Sequence, residues 1–215
     1  MRIAIAGGHG QIARQLSTLL AQGGHDPVAL IRNADQEADV VAAGATPLVI
    51  DLEHCDDSEL AEGLTGCDAV VFAAGSGPGS TPERKLSVDR DGAILLADAA
   101  VQAGIRRYVL LSSRGADTYD ADSDDVFQIY LRAKSEADAA VRGNDQLDWT
   151  IVRPGSLTDD SPTGKVRTGA EVEGSIPRGD VAALIATLLA TGAGVGKQFE
   201  VVRGETPIAE AVAAL

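Results

Sequence analysis

The sequence predicts an α/β fold, with a doubly wound parallel sheet of the Rossmann type. Two observations predict it: short apolar runs alternate with helical segments along the chain, and a glycine-rich turn joins the first run to the first helix. Parallel strands covered by helices on both faces are apolar throughout, as these runs are. No repeat, linker or low-complexity segment interrupts the 215 residues. We therefore predict one domain spanning residues 1–215.

The apolar runs predict six strands. They are residues 2–6 and the segments PVALIR, ATPLVIDL, CDAVVFAAG, RRYVLLSS and LDWTIVRPG. Apolar residues at helical spacing predict a first helix over residues 10–21 and a long Ala/Leu-rich helix over residues 89–104. A further helix passes through Tyr130 and Lys134, and Asp180 is predicted to N-cap the segment VAALIATLLA.

Charge and composition disfavour several classes of function. The net charge of −14 is spread along the chain, so it repels both nucleic acid and anionic lipid. No apolar run approaches a membrane span and no signal peptide precedes the first strand, which makes the cytoplasm the expected location. Cys55 and Cys67 lack a C-x-x-C spacing, and His54 has no partners at zinc spacing, so we expect no disulfide and no metal site. The expected partner is a small molecule, and the expected state is a monomer or a homodimer.

The glycine loop GGHGQIA follows the first strand and opens a helix, which is where a Rossmann fold holds a pyrophosphate. Gly7 and Gly10 take the positions that need a sharp turn and a close backbone approach. Gln11 and Ile12 begin the helix, whose unpaired N–H groups favour an anion. We predict that these residues bind a dinucleotide cofactor; the alternative is a purely structural turn.

The end of the second strand favours NADP over NAD. An acidic residue there would bind the ribose hydroxyls of NAD, whereas an arginine pairs with the additional phosphate of NADP. The sequence has Arg32 at this place, and the alternative is a solvated surface arginine. Asp51 and Leu52 end the third strand and are predicted to bind the cofactor. Asp51 is placed to touch the adenine, and the alternative is an ordinary turn residue.

Five segments taken together resemble the short-chain dehydrogenase/reductase superfamily, in its atypical NADP-binding branch of NmrA-like and sugar-epimerase-like proteins. They are GGHGQIA, SVDRDGAILLADAA, RRYVLLSSRGAD, LDWTIVRPGSLTDD and IPRGDVA, in that order along nearly the whole chain. The resemblance implies further cofactor contacts after the fourth and sixth strands, at Ala73, Ala74, Gly75 and Pro154. It also implies a small C-terminal substrate lobe, to which residues 153–178 and 197–215 are expected to contribute.

The resemblance also implies a catalytic set. Tyr130 and Lys134 have the Tyr-x-x-x-Lys spacing of the superfamily, which puts both on one helix face. A neighbouring cation favours the phenolate, so Tyr130 is expected to act as general acid/base, while Lys134 also holds the nicotinamide ribose. Ser113 is expected to hydrogen-bond the reacting carbonyl, with Ser112 as the alternative. Asp89 stands where many relatives carry an Asn.

These features predict an NADP-dependent oxidoreductase that acts on a small carbonyl or alcohol, with epimerisation by transient oxidation as a variant. The alternatives are a non-catalytic NADP(H)-binding redox sensor and a flavin or quinone reductase. The segment after Pro154 is short for a nucleotide-sugar substrate.

Overall fold

The computed structural model describes residues 1–77 and 79–215. Its strands are β1 (Arg2–Ala6), β2 (Asp26–Ile31), β3 (Thr46–Val49), β4 (Ala69–Phe72), β5 (Arg107–Leu111), β6 (Asp148–Pro154), β7 (Ser156–Thr158), β8 (Lys165–Gly169), β9 (Ser175–Pro177), β10 (Lys197–Arg203) and β11 (Thr206–Pro207). Its α-helices are α1 (Gln11–Gln22), α2 (Glu37–Ala42), α3 (Asp57–Gly63), α4 (Pro82–Arg84), α5 (Gly92–Gln102), α6 (Val126–Arg142), α7 (Arg178–Thr191) and α8 (Ile208–Ala213). Within the described residues, no helix combines the length and the apolar character needed to cross a bilayer.

The main sheet has the order β11-β8-β10-β6-β5-β4-β1-β2-β3. Parallel pairing joins seven neighbouring strands of this sheet, in the order β3-β2-β1-β4-β5-β6-β10. Strand β8 runs antiparallel to both of its neighbours, β10 and β11. From β1 the chain builds outward to β2 and β3, and then crosses back to place β4 on the other side of β1. This reversal confirms the doubly wound Rossmann-type fold, and it puts the topological switch point between β1 and β4.

Two apolar layers cover the two faces of the sheet. Ile3 and Ile5 of β1 belong to a cluster with α1, α7 and α8, while Ala4 and Ala6 of the same strand belong to a cluster with α3, α5 and α6. Successive side chains of a strand point to opposite faces, so one apolar strand supplies both layers. The buried β1 thereby fixes the point at which the glycine loop leaves the sheet.

The helix before β5 begins earlier than its apolar pattern predicts. It starts with α4, widens into a π-helical segment at Lys85–Asp91, and continues as α5. Pro82 at the first helical position and the Thr81 side chain, which accepts a hydrogen bond from the Arg84 N–H, explain the early start. Wide π turns occur often at functional sites, and this one carries Asp89.

The prediction that Asp180 N-caps its helix is wrong. The cap of α7 is Pro177, and Asp180 lies in the first turn, fully buried. Its carboxylate accepts hydrogen bonds from the backbone N–H groups of Thr163 and Gly164 and from the Thr163 hydroxyl, at 2.8–3.0 Å. It therefore stabilises a neighbouring turn rather than its own helix.

The structure divides the expected substrate lobe. Part of the segment 153–178 forms the small β7–β9 ribbon and the strand β8, which lies between β10 and the edge strand β11. Within residues 197–215, β10 lies inside the main sheet beside β6 and α8 packs in the core.

Candidate functional site

Two cavities meet at the switch point of the sheet. The first, of about 220 Å³, lies over the ends of β1, β2 and β3, and the second, of about 730 Å³, lies over the ends of β4, β5 and β6. Ala73, Ala74 and Gly75 line both. The small side chains that follow β4 thus leave one continuous trough along the carboxyl edge of the sheet.

The glycine loop at the junction is packed against backbone. Gly7 has φ +75°, and a Cβ there would lie 2.5 Å from Ala74 Cα. A Cβ at Gly8, which the sequence analysis did not single out, would lie 2.6 Å from Ala29 Cβ. Both positions therefore require glycine, which brings the start of α1 against the ends of β2 and β4.

The N-terminus of α1 is open to an anion. Gly10 is its N-cap and has no side chain, and no acid stands in the first turn. The first N–H groups of the helix consequently lack partners inside the helix and carry its positive dipole end. Ile12 is buried and lines the second cavity, whereas the Gln11 side chain is exposed and faces a separate surface depression.

Three of the residues predicted from the ends of β2 and β3 line the first cavity: Arg32, Asp51 and Leu52. Arg32 is exposed and forms no ion pair with another residue in the described part of the chain. Burial alone would raise the pKa of Asp51, but hydrogen bonds from the Glu53 N–H and His54, together with nearby charge on Arg32, lower it overall. A carboxylate and a free guanidinium therefore face the same cavity.

An ion pair that the sequence analysis missed closes the wall of the first cavity. Arg84 donates to Glu53 from Nη2 at 2.6 Å and from Nε at 3.2 Å, and the Ser87 hydroxyl donates to the same carboxylate at 2.7 Å. These contacts lower the pKa of Glu53 against the effect of its burial. They join the loop after β3 to the helix before β5.

The second cavity brings together Tyr130, Lys134 and Asp89. Lys134 Nζ lies 3.4 Å from Asp89 Oδ1, 3.2 Å from the Leu111 carbonyl oxygen and 5.9 Å from the centroid of the Tyr130 ring. The other oxygen of Asp89 accepts hydrogen bonds from the Ser76 N–H and hydroxyl, at 3.1 and 2.7 Å. Asp89 thus connects Lys134 to the loop after β4.

Lys134 is held as a cation in a buried position. Its side chain is 3% exposed and that of Asp89 is 1% exposed. Burial acts to lower the pKa of Lys134, but attraction to Asp89, Tyr130 and Asp138 outweighs it, so the pKa is raised. The ammonium therefore remains charged beside the phenol over the physiological pH range.

Of the two serines after β5, Ser112 lines the second cavity and Ser113 does not. Ser113 donates to the Arg114 carbonyl at 3.2 Å, while Ser112 donates to Asp138 Oδ2 at 2.8 Å. Successive side chains at the end of a strand point to opposite sides, so a shift of one residue decides which hydroxyl reaches the cavity. The structure therefore places the alternative, Ser112, with the predicted catalytic set.

Arg153 fixes the carboxylate that accepts the hydrogen bond from the Ser112 hydroxyl. Its guanidinium lies 2.7 Å from Asp138 Oδ2 and binds Asp117 through two hydrogen bonds, at 2.6 and 2.8 Å. Because a carboxylate accepts but does not donate, the hydroxyl proton of Ser112 is committed to Asp138. Ser112 consequently offers lone pairs, rather than a proton, to the second cavity.

Nearly all of the predicted cofactor residues lie along the trough. Gly7, Gly10, Arg32, Asp51 and Leu52 line its first cavity, Ile12, Lys134 and Pro154 line its second, and the segment 73–75 lines both. In the described residues, no group of three or more His, Cys, Asp or Glu is arranged to hold a metal ion. The N-terminus of α1 lies between the two cavities of the trough. One cavity contains the arginine Arg32, and the other contains Tyr130 and Lys134, so the arrangement fits an extended dinucleotide.

Comparison with protein families gives one match that covers most of the chain. A family model described as NAD(P)H-binding matches residues 7–191, which include the glycine loop, the segment 73–75, Tyr130 and Lys134.

Three proteins illustrate the similarity. The uncharacterized sugar epimerase YhfK of Bacillus subtilis is 35% identical over 214 residues, which cover 99% of this chain and 99% of that protein. A Bacillus halodurans protein provisionally assigned as an NAD-dependent epimerase/dehydratase is 39% identical, with a TM-score of 0.92 and full coverage of both chains. The oxidoreductase ylbE of Lactococcus lactis is 31% identical, with a TM-score of 0.87 and coverage of 100% of this chain and 96% of that one.

Proposed function

The chain belongs to this NAD(P)H-binding family of oxidoreductases and epimerases, and we propose that it is an NADP(H)-dependent oxidoreductase acting on a small carbonyl or alcohol. The observation that carries the proposal is the juxtaposition of Tyr130 and the buried Lys134–Asp89 pair with the cofactor trough. A redox sensor that binds NADP(H) without turnover would need no phenol and ammonium side by side in an open cavity.

Arg32 supports the choice of NADP. It lies at the rim of the first cavity, and it has no carboxylate partner among residues 1–77 and 79–215. A guanidinium pairs well with a phosphate on the adenosine ribose, whereas no acid ends β2 to accept hydrogen bonds from a free ribose. Glu53 in the same cavity is already neutralised by Arg84.

The remaining cofactor contacts follow from the trough. Gly7 and Gly10 allow the backbone to approach the pyrophosphate, the first turn of α1 supplies N–H groups to it, and Lys134 would hold the nicotinamide ribose. When bound, the nicotinamide supplies or accepts the hydride. The chain itself must then bind the substrate oxygen and move its proton.

Tyr130 is the proposed proton donor and acceptor. The ammonium groups of Lys85 and Lys134 lie 5.2 and 5.9 Å from the centroid of its ring, so the phenol stands beside two cations in the second cavity. Ser112 can accept a hydrogen bond from a substrate but has no O–H left to donate, because its hydroxyl already donates to Asp138. Ser112 therefore orients a substrate hydroxyl, and polarisation of a carbonyl is left to Tyr130.

The test is a titration of the purified protein with NADPH and with NADH, followed by calorimetry and repeated on Arg32→Ala. We expect NADPH to bind at least about tenfold more tightly than NADH, and Arg32→Ala to remove most of that preference, since a lost charge-assisted contact is worth about 1.5–3 kcal/mol. Arg203→Ala is the matched control, because Arg203 is also exposed and lines neither cavity of the trough. Absence of binding by either nucleotide would contradict the proposal.

A screen of aldehydes, ketones and alcohols with the bound cofactor then separates enzyme from sensor. Turnover that is lost in Tyr130→Phe supports the oxidoreductase. Tight NADPH binding without turnover of any carbonyl supports the sensor. Reduction of a free flavin that survives Tyr130→Phe supports a flavin reductase.

A further inference from the structure

The second cavity has a charge opposite to that of the protein. Its charged side chains are two lysines, Lys85 and Lys134, and one acid, Asp89, in a chain whose net charge is −14. The negative charge of Asp89 is compensated by the Lys134 ammonium, and the Asp89 carboxylate also accepts two hydrogen bonds from Ser76. The cavity consequently keeps one uncompensated positive charge, and its low-dielectric walls focus the electric field of that charge.

That charge belongs to Lys85. Its ammonium donates to the Gly77 carbonyl oxygen at 2.9 Å and lies over the Tyr130 ring, and it has no carboxylate within 4.0 Å in the described part of the chain. An ammonium has three N–H donors, and the Gly77 carbonyl takes one of them. The others are available to a ligand that enters beside Tyr130.

The mouth of the same cavity is apolar. Eight large apolar side chains are exposed among the described residues, and three of them line this cavity: Val126 at 40%, Phe127 at 60% and Leu157 at 36%. Phe127 stacks on Tyr130 with 5.9 Å between ring centroids. A cluster of exposed apolar side chains around a cavity marks a binding surface, because leaving it in water is unfavourable.

We propose that the substrate of this site is an amphipathic anion, with an apolar ring or chain that covers Val126, Phe127 and Leu157 and a carboxylate or similar group that pairs with Lys85. The proposal names the substrate class of the oxidoreductase inferred above and so rests on that function. The carbonyl or alcohol presented to Tyr130 then belongs to a molecule that carries its negative charge close to the reacting carbon, since Lys85 and Tyr130 are in contact.

Two fluorescent probes with the same aromatic body separate the apolar and the anionic parts of this site. 1-Anilinonaphthalene-8-sulfonate carries a negative charge, and N-phenyl-1-naphthylamine is its neutral counterpart. Both are titrated into the folded wild-type protein and into Lys85→Gln, Lys85→Arg, Phe127→Ser and Lys197→Gln. Lys197 is an exposed lysine on β10, far from the cavity, and serves as the control for overall charge.

We expect Lys85→Gln to weaken the sulfonate about tenfold while the neutral probe changes less than about twofold, as loss of one charge-assisted contact predicts. Lys85→Arg restores sulfonate binding, Phe127→Ser weakens both probes, and Lys197→Gln changes neither. The proposal is overturned if neither probe binds the wild type, if Lys85→Gln leaves sulfonate binding unchanged, or if Lys197→Gln weakens it equally. The assay uses neither nucleotide nor turnover, so its failure is distinguishable from a failure of the NADPH titration.

Discussion

The two cavities of the trough are built in different ways. The wall of the first contains the Gly7 turn, which is pressed against Ala74, and its acids are paired: Glu53 with Arg84, and Asp51 with His54. The second is lined by residues from six separate segments, and it holds a buried ammonium together with exposed apolar groups at its mouth. The shape of the first cavity therefore depends on the close approach of Gly7 to Ala74, whereas the second depends on buried charges whose balance a single substitution removes.

The largest effect is expected from a substitution that removes a reacting group from the second cavity without changing the shape of the cavity. Tyr130→Phe removes the proton that the reaction needs, so kcat should fall by about 100- to 10,000-fold, with NADPH affinity changed less than about twofold. Steady-state kinetics and calorimetry measure the two quantities. Tyr119→Phe is the matched control, because Tyr119 is half-buried and outside both cavities. Equal losses of activity in the two variants would contradict the assignment.

The next effect tests the buried charge pair by stability. Asp89→Ala leaves Lys134 buried without its carboxylate, so the free energy of unfolding should fall by about 3–5 kcal/mol. Urea denaturation followed by circular dichroism measures it. Asp91→Ala, which removes an exposed acid two residues away, should cost less than about 1 kcal/mol. A loss at Asp89 no larger than that at Asp91 would show that the pair adds nothing to the fold.

A smaller effect tests the backbone of the first cavity. Gly7→Ala combines a left-handed φ with a Cβ inside the contact distance of Ala74, so we expect the free energy of unfolding to fall by about 2–4 kcal/mol. Gly66 has φ +79° with open space around its Cβ, so Gly66→Ala should cost about 1–2 kcal/mol. The difference between the variants isolates the packing against Ala74, and equal values would mean that the close approach is not required.

The smallest effect is a dependence on pH in the first cavity. The pKa of Glu53 is lowered in the folded protein, so its ion pair contributes stability above the ordinary pKa of 4.5 and loses it as the pH falls through the lowered folded value. Glu53→Gln should therefore cost about 0.5–1 kcal/mol at pH 7, screened because Arg84 is partly exposed. The cost should shrink as the pH falls below 4.5.

Urea denaturation at pH 7 and at pH 3 tests this sign. Glu62→Gln, which changes an exposed acid on α3, is the control and should alter stability by less than about 0.5 kcal/mol at either pH. A cost at Glu53 that grows on acidification would contradict the assigned direction.

The features of the fold and site that the sequence predicted are local. The alternation of apolar runs and helices predicted the sheet, and the glycines after β1 predicted the turn because a tight approach leaves few residue types possible. Arg32 was predicted from its place at the end of the second strand, and it lines the first cavity. Tyr130 and Lys134 were predicted from the resemblance to the superfamily, whose Tyr-x-x-x-Lys spacing a helix turns into proximity.

What the sequence could not predict depends on contacts between distant segments or on register. Ser112 and Ser113 are adjacent and identical in type, so only the three-dimensional register at the end of β5 distinguishes them. Glu53 and Arg84 are 31 residues apart, and Asp138 and Arg153 are on different elements, so neither pair leaves a local signal. Lys85 has no motif around it, and its proximity to Tyr130 depends on how two helices pack. Asp180 was assigned to the nearest helix start because sequence proximity favoured it.

The buried Asp180 affects the order in which parts of the protein unfold locally. Its carboxylate ties the amides of Thr163 and Gly164 to the first turn of α7, and the Gly164 carbonyl in turn accepts from the N–H of Ile208 at the start of α8. These amides are released to solvent only when the packing of α7 is lost. The turn that precedes β8, although it lies at the edge of the sheet, should therefore exchange its amide hydrogens with deuterium on the slow timescale of the core.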